Sequence, residues 1–335
     1  MRITPQLLLK NARETVERRV AQEPGLLAAY LCGSLLPGHD PVLGGAADID
    51  LVFIYETTDR PREIVRLTNE VHLDIQHRSR AQYEPARDLR EQAWLGHEAT
   101  HAQVLYDNDH FFDFIQASAR SLFDAPENAV KRATPFFERA RATWFDFYTT
   151  PPASPFPPDI ARSLSALDAV ANGSASLPGP PLPVRRFLLD LPERLETLEQ
   201  PDVALAIGGL LGVGEVNAAM LRDWLADWEA AFLAVEDDPR LHAQRMHYYR
   251  DAITALLDDD NLPAALWPLL RTWTDAVSGE QAAGEHVQAW QAAAAQLRLL
   301  GESDGQQAFA LRINGLDALL DRAEEFLEGW RGGLG

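Results

Sequence analysis

Asp48 and Asp50 constrain this chain more than any other feature. They stand two residues apart at the start of an apolar run, 49–55, that reads as a buried strand. That spacing sends both carboxylates to one face of the strand. Acids in such a place are costly without a partner, because burial disfavours charge and adjacent like charges repel. A hard divalent cation with oxygen ligands relieves both penalties and suits triphosphate chemistry. An earlier apolar run, 26–32, ends on Gly33-Ser34, and a Gly-, Pro- and Ala-rich segment, 35–47, joins the two runs. These runs are the two inner strands of a sheet.

The rest of the first half fits round them. Residues 4–22 read as an amphipathic helix: Thr4 can cap it, Pro5 suits its first turn, and Pro24-Gly25 ends it. Leu8, Ala12, Val16 and Val20 form one stripe that should lie on the first strand. Segments 63–67 and 71–77 predict a hairpin about Thr68-Asn69-Glu70. Within it Val71, Leu73 and Ile75 alternate, so Asp74 points away from the apolar face. Segments 80–93 and 96–106 read as mostly helical, and 109–123 as the helix that closes a first domain. From Asp124 the strand signal vanishes. Helices are expected at 127–148 and 160–170, separated by a proline-rich linker, 149–158. A second Gly/Pro-rich break, 172–183, precedes further helices at 184–198, 214–235, 239–258, 262–276, 280–300 and 306–330. Trp224 and Trp228, one turn apart, read as core. The fold class is α+β: a small mixed β-sheet with flanking helices over 1–123, then a larger all-α domain over 124–335.

Charge excludes some functions. The formal net charge is −20, heavier after residue 120, and Lys10 and Lys131 are the only lysines. Binding a nucleic-acid backbone needs a basic surface, so no nucleic-acid partner is expected. The excess acid reads either as a solubilising surface or as a cleft for a cationic small molecule. The single cysteine, Cys32, cannot form an internal disulfide and should pack inside the first strand. No charged-then-apolar leader and no run of membrane-spanning length appear, so a cytoplasmic protein with no membrane partner is expected.

Gly33-Ser34, a spacer, then Asp48-Ile49-Asp50-Leu51, with Asp74 on a later strand, resembles the signature of the polymerase-β nucleotidyltransferase superfamily. Within it, the kanamycin and lincosamide nucleotidyltransferases are the most similar. The resemblance spans about 26–75. It implies that Asp48, Asp50 and Asp74 hold one or two Mg²⁺ ions, with Asp74 either a ligand or the general base. It implies that Gly33 and Ser34 cradle the phosphates of ATP or another nucleoside triphosphate. The reaction implied moves a nucleoside monophosphate, most simply AMP, to a hydroxyl of a small, cationic acceptor such as an aminoglycoside. The helical domain would bind the acceptor and allow a homodimer. Two rivals stand beside this: transfer of AMP to a protein, or a toxin–antitoxin type module, and a fold that binds nucleotide without turnover.

Other motifs carry less. A Gly-Ser pair alone says only that a strand turns. His97-Glu98-Ala99-Thr100-His101 has the zincin spacing, but Gly96 breaks its lead-in and no third ligand follows, so it reads as a helix-face pair. Gly212-Val213-Gly214 lacks a third glycine and a preceding strand and reads as a helix break. Arg185-Arg186 could meet phosphate but reads as a surface pair.

Overall fold

The computed structural model describes residues 3–36, 40–236, 238–279, 282–300 and 305–332. The chain divides into two compact units, Met1–Asn128 and Ala129–Gly335. Among the described residues, no helix is long and apolar enough to cross a membrane.

The first unit is a five-stranded mixed sheet with helices on both faces. Its strands are β1 (Leu26–Cys32), β2 (Ala47–Tyr55), β3 (Glu63–Arg66), β4 (Val71–Ser79) and β5 (Gln103–Asp107), in the spatial order β3-β4-β2-β1-β5. All neighbours run antiparallel except β2 and β4, which are parallel. Helix α1 (Pro5–Gln22) begins as the sequence predicts, with the Thr4 hydroxyl accepting from the Leu7 N–H at 3.3 Å. It buries Leu8, Ala12 and Val16 against Leu31, Ile49, Leu51, Phe53, Leu73 and Ile75. The opposite face carries Tyr30, Val52 and Ile54, covered by α2 (Ala93–His101), α3 (Phe111–Arg120) and the 3-10 turns Arg80–Tyr83 and Ala86–Glu91.

Residues 80–106 depart from expectation. They hold two short 3-10 turns, one nine-residue helix and the edge strand β5, where helix was expected. A five-residue run such as Gln103–Asp107 is too short for periodicity to separate strand from helix. Its last residue also starts α3: the Asp107 carboxylate accepts from the N–H groups of Phe112 and Asp113, each at 2.9 Å.

A charged network ties α1 to the sheet. The Glu23 carboxylate accepts from Arg19 (2.9 Å), Tyr55 (2.6 Å) and Arg60, and Arg19 also reaches Glu63, which meets His77 at 2.7 Å. Burial opposes ionisation of Glu23, but these donors outweigh it and hold the carboxyl down to about 2.

The second unit is all helical: α4 (Pro126–Thr149), α5 (Pro157–Ala175), α6 (Phe187–Glu196), α7 (Pro201–Leu211), α8 (Ala218–Leu233), α9 (Met246–Asp258), α10 (Leu262–Val277), α11 (Gly284–Gln296) and α12 (Gly305–Gly332). Helix α10 lies at its centre, packed on α5, α6, α8, α9 and α11. Its own Trp267 and Trp273 are fully buried, as are Trp228 of α8 and Trp290 of α11, and Trp224 nearly so. Two indole N–H groups are satisfied from α10 itself: Trp228 donates to Thr272 Oγ1 at 2.9 Å and Trp290 to Thr274 Oγ1 at 3.0 Å. Two expectations fail here. The break over 172–183 begins late, since α5 continues to Ala175, and α7 lies where no helix was expected. Asn172 is wholly buried and its Oδ1 accepts from the Leu182 N–H at 2.6 Å, so this turn is anchored from inside a helix.

Two predictions follow from these contacts. Because the Glu23 carboxyl lies below its ordinary value when folded, its contribution is complete above about pH 4.5 and is lost as pH falls towards 2. Thermal melts of Glu23→Gln across that window should therefore fall less steeply than those of the parent protein. Replacing Thr272 by Val strands the Trp228 indole N–H, and should cost about 1–3 kcal/mol in denaturant unfolding.

Candidate metal centre

Each acid is placed by the sheet. β2 delivers Asp48 and Asp50 on the face opposite to Ile49 and Leu51, and β4 delivers Asp74 on the face opposite to Leu73 and Ile75. The parallel register sets Asp50 beside Asp74, and the antiparallel one sets Asp50 beside Cys32, the last residue of β1. One oxygen from each of Asp48, Asp50 and Asp74 lies within 4.8 Å of the others. Asp74 is 0% exposed, Asp48 4%, and Asp50 is half-buried. At roughly 5 Å, each pair of carboxylates repels by on the order of 3 kcal/mol at an effective dielectric of about 20.

Gly33 makes the close approach possible. Its φ is +73°, and a Cβ there would sit 2.0 Å from Asp50 Oδ2. The next residue, Ser34, has a buried Oγ with no hydrogen-bond partner among the described residues. A buried hydroxyl left unsatisfied asks for a ligand or solvent atom. Cys32 packs inside the sheet as expected, and burial pushes its thiol well up.

Arg62 is the site residue that sequence reasoning missed. From the segment before β3 its Nε and Nη2 fork onto the two oxygens of Asp74. Ile64 is the direct cross-strand partner of Asp74, and Arg62, two residues earlier, emerges on the same face. The hairpin register is therefore the signal that could have found it.

These features fit a hard divalent cation. The donors are carboxylate oxygens, a guanidinium already neutralises part of their charge, and the glycine leaves room for the Asp50 carboxylate beside the turn. Asp48, Asp50 and Asp74 are the residues that would hold it.

Farther along the same face, Arg78 Nη2 donates to Gln76 Oε1 at 2.7 Å and forms an ion pair with Glu98 at 2.7 Å, and Arg78 Nη1 donates to the Tyr30 hydroxyl at 3.1 Å. Burial works against the Arg78 charge, but the neighbouring Tyr30 and Glu98 hold it well above the ordinary range. Glu98 is thereby committed to an ion pair. His101 Nδ1 lies 3.1 Å from the His97 carbonyl and 2.9 Å from Thr100 Oγ1, and the two imidazoles stack at 5.6 Å. The zincin-like motif is thus a packed helix face. A cavity of about 500 Å³ opens beside Arg78, bordered by Gln82, Glu84, Asp88, Gln92 and Leu95.

Among the described residues, one other cluster has converging ligand atoms, Asp107, His110 and Asp113, and it is mostly exposed. Gly212 ends α7 in the left-handed region, φ +75°, where a Cβ would meet the Leu297 carbonyl at 2.3 Å. Arg185 is not at the surface as expected: its guanidinium is buried 3.6 Å over the Tyr248 ring, while Arg186 pairs with Asp190 at 2.9 Å.

Neither the protein-family models nor the curated proteins compared with this sequence give a match. Among solved structures, a nucleotidyltransferase-like protein from Exiguobacterium sibiricum 255-15 aligns with 94% of this chain and 91% of its own, at 12% identity and a TM-score of 0.35. That similarity assigns neither a family nor a subtype.

Gly33→Ala tests the corner directly. A left-handed alanine costs about 1–2 kcal/mol, and the Cβ must displace the Asp50 carboxylate. Denaturant unfolding should show the first, and weakened binding of Mn²⁺ should show the second.

Proposed function

We propose that this chain is a metal-dependent nucleotidyltransferase that moves AMP from ATP to a hydroxyl of a small acceptor, releasing pyrophosphate. The convergence of Asp48, Asp50 and Asp74 beside the Gly33-Ser34 turn supports the reading. In such a reaction the acceptor oxygen bonds to the α-phosphorus and the bond from that phosphorus to the bridging oxygen breaks. The acceptor proton goes to a base, and pyrophosphate leaves. A divalent ion, when bound, supplies charge neutralisation and orientation for the triphosphate. The protein's share is to hold the three carboxylates together and to offer the Ser34 hydroxyl and the backbone N–H groups of the turn to phosphate oxygens. Arg62 occupies both oxygens of Asp74, which suits a ligand better than a group that must take up a proton. Asp74 is accordingly assigned to metal holding. Recognition of the acceptor falls to the helical unit on this reading. The acidic balance favours a cationic compound over nucleic acid.

The experiment is pyrophosphate release by the full chain with Mg²⁺, a panel of nucleoside triphosphates, and a panel of hydroxylated amines. Turnover should need Mg²⁺ and an acceptor. Asp48→Asn and Asp50→Asn should each lower it about 10²- to 10³-fold, the equivalent of several kcal/mol of charge stabilisation. Undiminished turnover in Asp50→Asn would refute the proposal. With labelled ATP and cell lysate, label on a protein band instead of a small product would turn the assignment to protein AMP transfer.

A further inference from the structure

Asp74 is wholly buried, while its partner Arg62 is 30% exposed and reaches in from outside the sheet. The segment that carries Arg62 is anchored on both sides. Arg60 bonds Glu23, and the Glu63 carboxylate is shared by Arg19 and His77. The fork therefore starts from a fixed backbone and ends on a fixed strand. Each carboxylate oxygen has two lone-pair directions, and a planar fork uses one on each oxygen. The three acids still converge within 4.8 Å with the fork in place. The guanidinium offsets one of the three negative charges. A lysine could supply the charge but not the paired contact.

We propose that Arg62 is a positioning residue for the divalent cation: its fork aims the Asp74 carboxylate and offsets one of the three negative charges. The inference rests on the reading of the acid trio as a cation site. Arg62 acts through Asp74, as the hydrogen-bonded partners of metal-holding carboxylates do.

The test is Mn²⁺ binding to the full chain without nucleotide, by calorimetry and electron paramagnetic resonance. The proteins compared are the parent, Asp50→Asn, Arg62→Gln and Arg62→Lys. The parent should bind one Mn²⁺ and Asp50→Asn should lose it. Arg62→Gln should bind about 10- to 100-fold more weakly. Arg62→Lys, which keeps the charge and loses the fork, should remain about tenfold weaker. Melting curves without Mn²⁺ separate a folding defect from a binding defect, and Arg62→Lys carries the test should Arg62→Gln not fold. Binding as tight as the parent's in either folded Arg62 variant overturns the proposal, as does tighter binding. If the parent binds Mn²⁺ no better than Asp50→Asn, the cation reading falls first and the role of Arg62 falls with it.

Discussion

Repulsion between carboxylates gathered on one sheet face is the constraint to which this half of the molecule answers. Asp50 and Asp74 stand side by side in the parallel register of β2 and β4. A parallel pair needs a crossover, and here the chain makes it with a strand: β3 runs back along the outer side of β4 before β4 returns beside β2. That route carries the counter-charge with it, since Arg62 sits where β3 begins. The same topology that brings two acids into contact thus delivers the guanidinium that makes the contact tolerable. Gly33 completes the arrangement from β1 by lacking the atom that would collide with Asp50.

The helical unit is held by different means. Its centre is an almost wholly buried helix, α10, whose threonine hydroxyls take up indole N–H groups from α8 and α11. Large aromatic side chains bury much area, but each indole brings a donor that must be satisfied. Thr272 and Thr274 do this for Trp228 and Trp290 while donating their own protons to carbonyls one turn back, at 2.6 and 2.7 Å, whereas the indole N–H groups of Trp267 and Trp273, on α10 itself, are buried without a partner among the described residues.

Much of the acid-bearing half was legible because its physics is local. Apolar runs, a two-residue spacing and the alternation of Val71, Leu73 and Ile75 fix which side chains share a face. What escaped depends on partners distant in sequence. The pairing of Arg62 with Asp74 exists only once the hairpin register is set. Strand β5 is a short edge segment stabilised by β1. Helix α7 contains Gly208 and Gly209, which weaken local helix propensity, yet Val203, Ile207 and Leu211 are buried by their neighbours. Arg185 reads as surface by residue type, and its ring contact with Tyr248 spans 63 positions. The shared face of Asp48 and Asp50 could be argued from spacing, whereas the place of Asp74 beside them was implied only by the resemblance and is set by the parallel register of β2 and β4, and the chemistry of the acceptor has no comparable signature.

Strand β3 also decides how this sheet meets other chains. It is only four residues long, follows Pro61, and carries Glu63 and Arg66, with Arg66 turned back to the Thr68 carbonyl at 3.1 Å. Short length and charge make such a margin a poor template for an incoming strand. The sheet is closed to growth on that side, and self-association by strand addition there is disfavoured from the outset.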